Sequence, residues 1–141
     1  MRALITFLAA SILFFAFVTP WVSAQIENLP WGVERIRGDL PWEAGRGVRI
    51  AVIDTGIWRD HPDLRGRVVD GISYGIGEYW EDFYGHGTQV AGIIAAIDDG
   101  NHLIGVAPRV SLYAIKAGDI QSWIDGINWA VSKGVHIISI S

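Results

Sequence analysis

An unbroken apolar run at residues 48–53 (VRIAVI), with one Arg inside it, constrains the fold most strongly. Because polar residues do not alternate along it, the run predicts a β-strand buried on both faces, which is typical of parallel sheets. Weaker strand patterns follow at 67–74, 110–116 and 135–140, and helix patterns occur at 88–97 and 122–132. Since strands that alternate with helices indicate a parallel sheet, the sequence predicts an α/β fold with helices flanking the sheet.

Local signals predict where these elements end. Residues 25–47 contain several Pro and Gly residues and predict a loop-rich entry segment, and the acidic and aromatic residues 77–85 predict a loop. The second helix pattern predicts Ser122 as its N-cap and Gly134 as its C-cap. The apolar face of this helix is predicted to contain Trp123, Ile127 and Ala130.

Residues 1–24 have the pattern of a secretory signal peptide. Arg2 supplies a positive charge, residues 3–18 form an uncharged apolar stretch, and small residues precede a cleavage point after Ala24. The alternative is a membrane anchor, but a spanning helix needs about 20 apolar residues. We therefore predict an extracellular protein with no stable membrane anchor, whose mature domain is residues 25–141.

Composition excludes several classes of protein. The 141 residues suffice for one domain, and half of them are hydrophobic, which excludes a disordered polymer. The formal net charge is −4, with 15 acidic against 11 basic residues and no Lys/Arg run, so we expect no nucleic-acid partner. The lack of cysteine excludes a disulfide scaffold and a thiolate metal site.

Two polar residues stand where a parallel sheet binds ligands. Asp54 directly follows the apolar run, and ligands of parallel sheets bind beyond the carboxyl ends of the strands. His86 lies between Gly85 and Gly87, just before the first helix pattern. A carboxylate that fixes the tautomer of an imidazole prepares it to act as a general base. Taken singly, each residue is more simply explained as a turn or surface-loop residue.

Six ordered segments of the chain resemble the subtilisin-like serine proteases. They are AVIDTGI (51–57), HPDL (61–64), GHGTQVAGIIAA (85–96), GVAP (105–108), LYAIK (112–116) and GINWA (126–130). The resemblance implies a subtilisin-like fold, here truncated to roughly the first half of the catalytic domain, so that residues 25–141 are a partial peptidase domain. It also implies a secreted serine endopeptidase in which Asp54 is the orienting acid and His86 the general base.

The sequence also departs from the family's pattern. The family's nucleophilic serine lies in a Gly-Thr-Ser-Met-Ala segment, and neither this segment nor the oxyanion-hole asparagine is found in these 141 residues. By resemblance, Ser141 is the first residue of a wall of the specificity pocket. The segment at 117–122 is shorter than the strand with which the family pairs its substrate. We therefore expect peptide or protein substrates for a completed domain, and no activity from this chain alone.

The resemblance further implies a structural calcium site. Residues 98–101 (DDGN) are compact and oxygen-rich, as a hard cation prefers. The alternative is a solvated turn after the helix, and the residues alone favour neither. By resemblance, the side-chain ligands are Glu27, Asp63 and Asp99, and the carbonyl ligands are Ile97, Asn101 and Leu103.

Three other interpretations stay open. The first is a non-catalytic half-domain that binds a second chain supplying the missing half, because the strand at 135–140 would have an unpaired edge. The second is the product of a truncated or frameshifted gene. The third rests on Asp-Thr-Gly (54–56), which also occurs in aspartic proteases that work as homodimers and are nearly all β.

Overall fold

The computed structural model describes residues 31–37, 44–75, 77, 79–100 and 103–141. The predicted signal peptide at 1–24 and the predicted calcium ligands Glu27 and Asn101 lie outside the described residues, so the division of the chain at residue 25 stays a prediction. The described chain contains the strands β1 (Arg49–Asp54), β2 (Val68–Ser73), β3 (Ser111–Lys116) and β4 (Ile137–Ile140). Its helices are α1 (Trp31–Arg37), α2 (His86–Ala95) and α3 (Ile120–Ser132), with a short 3-10 helix at Pro62–Leu64.

The four strands form one parallel sheet in the order β2-β3-β1-β4. The central strand is β1, in which Ile53 is paired with Ile115 of β3 on one side and with Ile140 of β4 on the other. Each predicted strand is present, with ends within two residues of those predicted. The prediction of a parallel α/β sheet flanked by helices is confirmed, and a nearly all-β aspartic protease is excluded.

Helices on both faces of the sheet explain the apolar run. Val52 packs in one cluster with Ala91 of α2. Ala51 and Ile53 belong to a second cluster, on the other face, which contains Ala130 of α3. Residues 51–53 are at most 1% exposed. Since both faces of β1 are core, no polar residue alternates along it.

The ends of α3 differ by a few residues from the predicted ones. Its N-cap is Asp119, whose side chain accepts a hydrogen bond from the Ser122 N–H at 2.9 Å. Ser122 is the third helical residue, and its hydroxyl accepts from the Asp119 N–H at 3.0 Å, which completes a capping box. The prediction of Ser122 as N-cap is wrong because this serine supports the cap from inside the helix. At the other end Lys133 is the C-cap, and Gly134, with φ +64°, follows it.

The face of α3 that meets the sheet agrees with the predicted one at Ala130 and Ile127 but not at Trp123. Its buried residues are Ser122, Gly126 and Ala130, whereas Trp123 is 37% exposed. A Cβ on Gly126 would lie 2.8 Å from Cγ2 of Ile115, so the helix approaches β3 too closely for a larger side chain. The hydrophobic pattern favoured Trp123, but close packing against the sheet buries the smaller residues Ser122 and Gly126.

A short helix is present within the segment that the sequence predicted to be rich in loops. In α1, Val33 is buried and Trp31 is largely exposed. The prediction for 25–47 did not include this helix, which Pro30 and Pro41 flank in the sequence without interrupting it. None of the helices in the described part of the chain has the length and apolarity needed to cross a membrane.

Candidate active site

The site begins at the carboxyl end of β1, where the chain turns sharply. Asp54 is the last residue of the strand, and its side chain is 1% exposed. At Gly56 the backbone has φ +106°, and a Cβ there would collide with the carbonyl oxygen of Trp80. Glycine fits because it tolerates positive φ and has no side chain. The turn leaves the Asp54 carboxylate at the strand end, where ligands of parallel sheets bind.

His86 is the first residue of α2, which begins two residues earlier than predicted. Its Nδ1 lies 2.8 Å from Oδ1 and 2.9 Å from Oδ2 of Asp54. Gly85, the N-cap, has φ +94°, and a Cβ on Gly87 would collide with the carbonyl oxygen of Gly56. The two glycines therefore let the helix start against the turn after β1. The His86 side chain is 57% exposed, which leaves Nε2 for a reacting group.

Two further hydrogen bonds reach the Asp54 carboxylate. The Thr55 N–H donates to Oδ1 at 2.6 Å, and the Ser141 hydroxyl donates to Oδ2 at 2.7 Å. Burial acts to raise the pKa of Asp54, but the hydrogen bonds from His86, Thr55 and Ser141 outweigh it and hold the pKa below its ordinary value. Asp54 is therefore ionised at neutral pH and can orient the imidazole.

The same contact acts on His86 in the opposite direction. The hydrogen bond to Asp54, together with the negative charge of that carboxylate, raises the pKa of His86 above its ordinary value, and the charge of Asp82 adds to this effect. A buried acid thus supports the protonated form of an imidazole that meets solvent on its other side. This is the electrostatic arrangement that a general base requires.

Ser141 lies in this site through contacts that the sequence did not predict. Besides its hydroxyl bond to Asp54, its backbone N–H donates to the carbonyl of Ile53 at 3.2 Å, which continues the pairing of β4 with β1. No sequence signal could indicate this contact, because it depends on the register between two strands far apart in the chain. The role of Ser141 in the wall of a specificity pocket stays a prediction.

Asp82, which was not among the predicted site residues, lies in the segment predicted as a loop. Its Oδ1 accepts hydrogen bonds from the Thr55 hydroxyl and from the N–H groups of Tyr84 and Gly85, each at 2.9 Å. Its Oδ2 accepts from the N–H of Thr88 at 2.9 Å and from the Thr88 hydroxyl at 2.6 Å. Burial acts to raise the pKa of Asp82, but these bonds outweigh it and lower the pKa to about 2. Nearness to the Gly-His-Gly segment was the one signal that could have indicated it.

Lys116, also not among the predicted site residues, is 3% exposed at the carboxyl end of β3. In the sheet register it is paired with Asp54. Its Nζ donates to the carbonyl of Glu81 at 2.9 Å and lies 4.9 Å from the centroid of the Phe83 ring. A buried ammonium needs such partners. Lys116 therefore ties the loop before His86 to the end of the sheet.

The predicted calcium ligands are only partly described. The N–H of Ile97 donates to the carbonyl of Asp63 at 2.8 Å, which brings two of the predicted positions together. Asp99 lies in the bend after α2, and Leu103 is 49% exposed. Within the described ranges, no group of three or more His, Cys, Asp or Glu side chains is arranged to hold a metal ion. Since two predicted ligands lie outside those ranges, the calcium site stays a prediction.

Comparisons with known proteins agree with this geometry. Residues 45–141 match the model of the subtilase family. An intracellular serine protease of Paenibacillus polymyxa is 42% identical over 130 residues, which are 83% of this chain and 40% of that protein. Subtilisin DY of Bacillus licheniformis is 41% identical over 125 residues, which are 82% of this chain and 45% of that protein. The crystal structure of a psychrophilic subtilisin-like protease from Pseudoalteromonas sp. AS-11 matches with a TM-score of 0.69 at 27% identity, over 82% of this chain and 29% of that one.

A parallel sheet that presents a buried aspartate in contact with an exposed histidine has the arrangement found in the acid and base of serine hydrolases. The matches narrow this class: the chain belongs to the subtilase family, whose members are serine endopeptidases. It spans less than half the length of each of these three relatives, and its residues correspond to the N-terminal part of the catalytic domain.

Proposed function

We propose that this chain is the N-terminal part of a secreted serine endopeptidase, in which Asp54 and His86 are the acid and the base of an Asp-His-Ser triad. The observation that carries the proposal is the 2.8 Å contact between a fully buried carboxylate and a half-exposed imidazole. Membership of the subtilase family supports the same assignment of roles.

In the proposed reaction the imidazole carries one proton from the nucleophile to the leaving group. Asp54 keeps Nδ1 of His86 protonated, so Nε2 is the acceptor. As a serine hydroxyl attacks the carbonyl carbon of a peptide bond, Nε2 takes the hydroxyl proton and Asp54 stabilises the imidazolium. His86 then protonates the leaving amine, the C–N bond breaks, and an acyl-enzyme remains. Water attacks this ester with the same base, which releases the acid and restores the serine.

The nucleophile of this reaction has to come from outside these 141 residues. They contain no Gly-Thr-Ser-Met-Ala segment, and the hydroxyl of Ser141 is engaged by Asp54. In a subtilisin, loss of the nucleophile alone lowers kcat about 10⁶-fold. The chain by itself should therefore show no peptidase activity above background, and peptide or protein substrates require the completed domain.

A covalent serine-directed probe tests the inactivity of the isolated chain. We expect no stoichiometric labelling by a fluorophosphonate and no cleavage of a fluorogenic peptide. Stoichiometric labelling of any serine in the chain would overturn the assignment of the nucleophile to a missing segment.

Sequencing of the gene through and beyond codon 141, read in all three forward frames, tests the triad itself. A downstream Gly-Thr-Ser-Met-Ala segment would allow the completed protein to be produced. We expect that protein to cleave peptides, and His86→Ala to abolish the activity. Retention of activity in the His86→Ala variant would refute the role of the base.

A second candidate function is a non-catalytic half-domain that binds a partner chain. In the described sheet β4 is an edge strand, and Ile137 and Ile140 are about half exposed. An exposed hydrophobic edge pairs with another chain or aggregates. Light scattering on the purified chain should then show self-association, whereas a stable monomer at high concentration would contradict this candidate. A gene without any downstream protease segment would favour this function or a decayed gene.

We also propose a structural calcium ion between the bend after α2 and the 3-10 helix. The hydrogen bond from Ile97 to Asp63 supports it, because it places these two predicted ligand positions side by side. The ion would be held by the predicted carboxylates of Glu27, Asp63 and Asp99 and by the predicted carbonyls of Ile97, Asn101 and Leu103. Calorimetric titration with Ca²⁺ should show binding, and no heat at millimolar Ca²⁺ would remove the site.

Secretion is proposed from the leader pattern at residues 1–24 alone. One of the relatives is named an intracellular serine protease, so membership of the family does not by itself imply secretion. N-terminal sequencing of protein recovered from the culture medium should read from Gln25. A chain that keeps Met1 and stays inside the cell would contradict the proposal.

A further inference from the structure

The hydrogen bonds of Asp82 connect the segments that carry Asp54 and His86. Thr55, which follows Asp54, donates its hydroxyl to Oδ1 of Asp82, and Gly85, which precedes His86, donates its N–H to the same oxygen. The Thr55 hydroxyl oxygen also accepts the N–H of Gly87 at 2.9 Å. Both chain neighbours of His86 are therefore held by one carboxylate, directly or through Thr55.

The second oxygen of Asp82 holds the first turn of α2. The N-cap of this helix is Gly85, which has no side chain to accept the free N–H groups at the helix start. Oδ2 of Asp82 accepts the N–H and the hydroxyl of Thr88, and the Thr88 hydroxyl oxygen accepts the Trp58 N–H at 2.9 Å. A carboxylate at this end is also favoured by the helix dipole. Asp82 therefore accepts the hydrogen bond that the side chain of an N-cap residue would accept, which Gly85 cannot do.

We propose that Asp82 is a positioning residue, which sets the distance and orientation of His86 relative to Asp54 without touching the substrate. Gly85 has φ +94°, and a Cβ on Gly87 would collide with the carbonyl oxygen of Gly56, so glycine is favoured on both sides of His86 for two different reasons. Neither glycine has a side chain that could hold this segment. Asp82 holds it from the preceding loop. The importance of this role for catalysis rests on the proposed function, but the geometry concerns this chain alone.

Asp82 affects His86 through both charge and geometry. The acidic groups that act on the imidazole are Asp54 from β1 and Asp82 from the loop, and both raise the pKa of His86. Loss of Asp82 removes one charge and also loosens the backbone that presents the ring to Asp54. A residue that only stabilised the fold would lower the melting temperature and leave the protonation of His86 unchanged in a folded variant.

NMR titration of the His86 ring in the full chain, with amide hydrogen exchange, tests the proposal. Asp82→Asn removes the charge and places an amide NH₂ against hydrogen-bond donors. We expect the pKa of His86 to fall toward its ordinary value. Since a hydrogen bond to a charged group is lost, exchange of the Gly85 and Thr88 amides should become about tenfold faster. The matched control is Asp60→Asn, which removes the same charge from an exposed side chain and should change neither quantity.

A second pair of variants keeps the test decisive if Asp82→Asn does not fold. Thr55→Val removes the hydroxyl between Asp82 and Gly87 but keeps the shape, and Thr55→Ser retains the hydroxyl. We expect faster exchange at Gly87 and a lower His86 pKa in the valine variant only. Identical behaviour of this pair, or an unchanged His86 pKa in folded Asp82→Asn, overturns the positioning role. An ordinary His86 pKa in the unmodified chain would instead refute the Asp54–His86 contact and with it the proposed function.

Discussion

The corner where β1 meets α2 and the edge formed by β4 belong to one sheet but are stabilised in different ways. In the corner, Gly56 and Gly87 allow neighbouring backbone segments to approach closely. The Asp54 and Asp82 carboxylates accept hydrogen bonds from several elements. At the edge, Ile137 and Ile140 are about half exposed, and β4 pairs only with β1 among the described strands. The side chains of Asp54 and His86 are thus held by hydrogen bonds within this chain, whereas β4 leaves about half of two large hydrophobic side chains exposed.

The largest difference in the effect of a substitution on stability should appear at the paired residues Ile53 and Ile140, which are 0% and 46% exposed. Ile53→Ala should lower the free energy of unfolding by about 2–5 kcal/mol, because it leaves a cavity in the core. Ile140→Ala should cost about 1 kcal/mol, since half of its surface already meets water. Urea denaturation followed by circular dichroism measures both. Equal losses would mean that β4 is covered in solution, and self-association should then be examined.

Protonation of Asp82 in acid should also destabilise the corner. Its pKa is about 2 in the folded chain, against an ordinary value of 3.8. Because the folded pKa is the lower one, the ionised carboxylate stabilises the fold above about pH 4, and this contribution, roughly 2 kcal/mol, is lost as the pH falls toward 2. Urea denaturation between pH 7 and pH 2 should show this loss. The Asp82→Asn variant should lack it, and an equal acid loss in that variant would assign the effect to other groups.

Ser141 connects the two regions, so its removal should have an intermediate effect. Ser141→Ala deletes the hydroxyl bond to Asp54, which should cost about 1 kcal/mol and raise the pKa of Asp54. Carboxyl ¹³C titration of Asp54 gives the pKa directly. Ser132→Ala is the control, because its exposed hydroxyl donates to the Trp129 carbonyl within α3 and is not among the groups that act on Asp54. An unchanged Asp54 pKa in Ser141→Ala would show that the hydrogen bond from the end of β4 does not affect this carboxylate.

The smallest effect is expected at the exposed ion pair between Lys133 and Asp70, 2.7 Å apart. Both side chains are more than one third exposed, so Asp70→Asn should cost less than about 1 kcal/mol. Salt should reduce even this difference, because it screens exposed charges. Thermal melts at low and high salt measure it. A larger loss of unfolding free energy than in Ser141→Ala would contradict the view that polar contacts in the corner stabilise the fold more than exposed ion pairs do.

Prediction from sequence succeeded where a local pattern has one structural explanation. The apolar run at 48–53 can be buried on both faces only in a covered sheet, and the strand ends followed to within two residues. It failed at Ser122, which supports the cap formed by Asp119, and at Trp123, which the close approach of Gly126 to Ile115 keeps off the sheet. Both failures depend on packing between elements, which a periodic pattern does not contain.

The sequence by itself determined the α/β class and the order of the elements, because apolar runs are local features. It indicated the candidate pair Asp54 and His86 through ordered motifs that resemble those of the subtilisin-like proteases. Only the tertiary structure decided that the pair is in contact and that Asp82, Lys116 and Ser141 surround it. These contacts join residues up to 87 positions apart in the chain. They form because β1, β3 and β4 end at the same edge of a parallel sheet, and that shared edge exists only once the strands have paired.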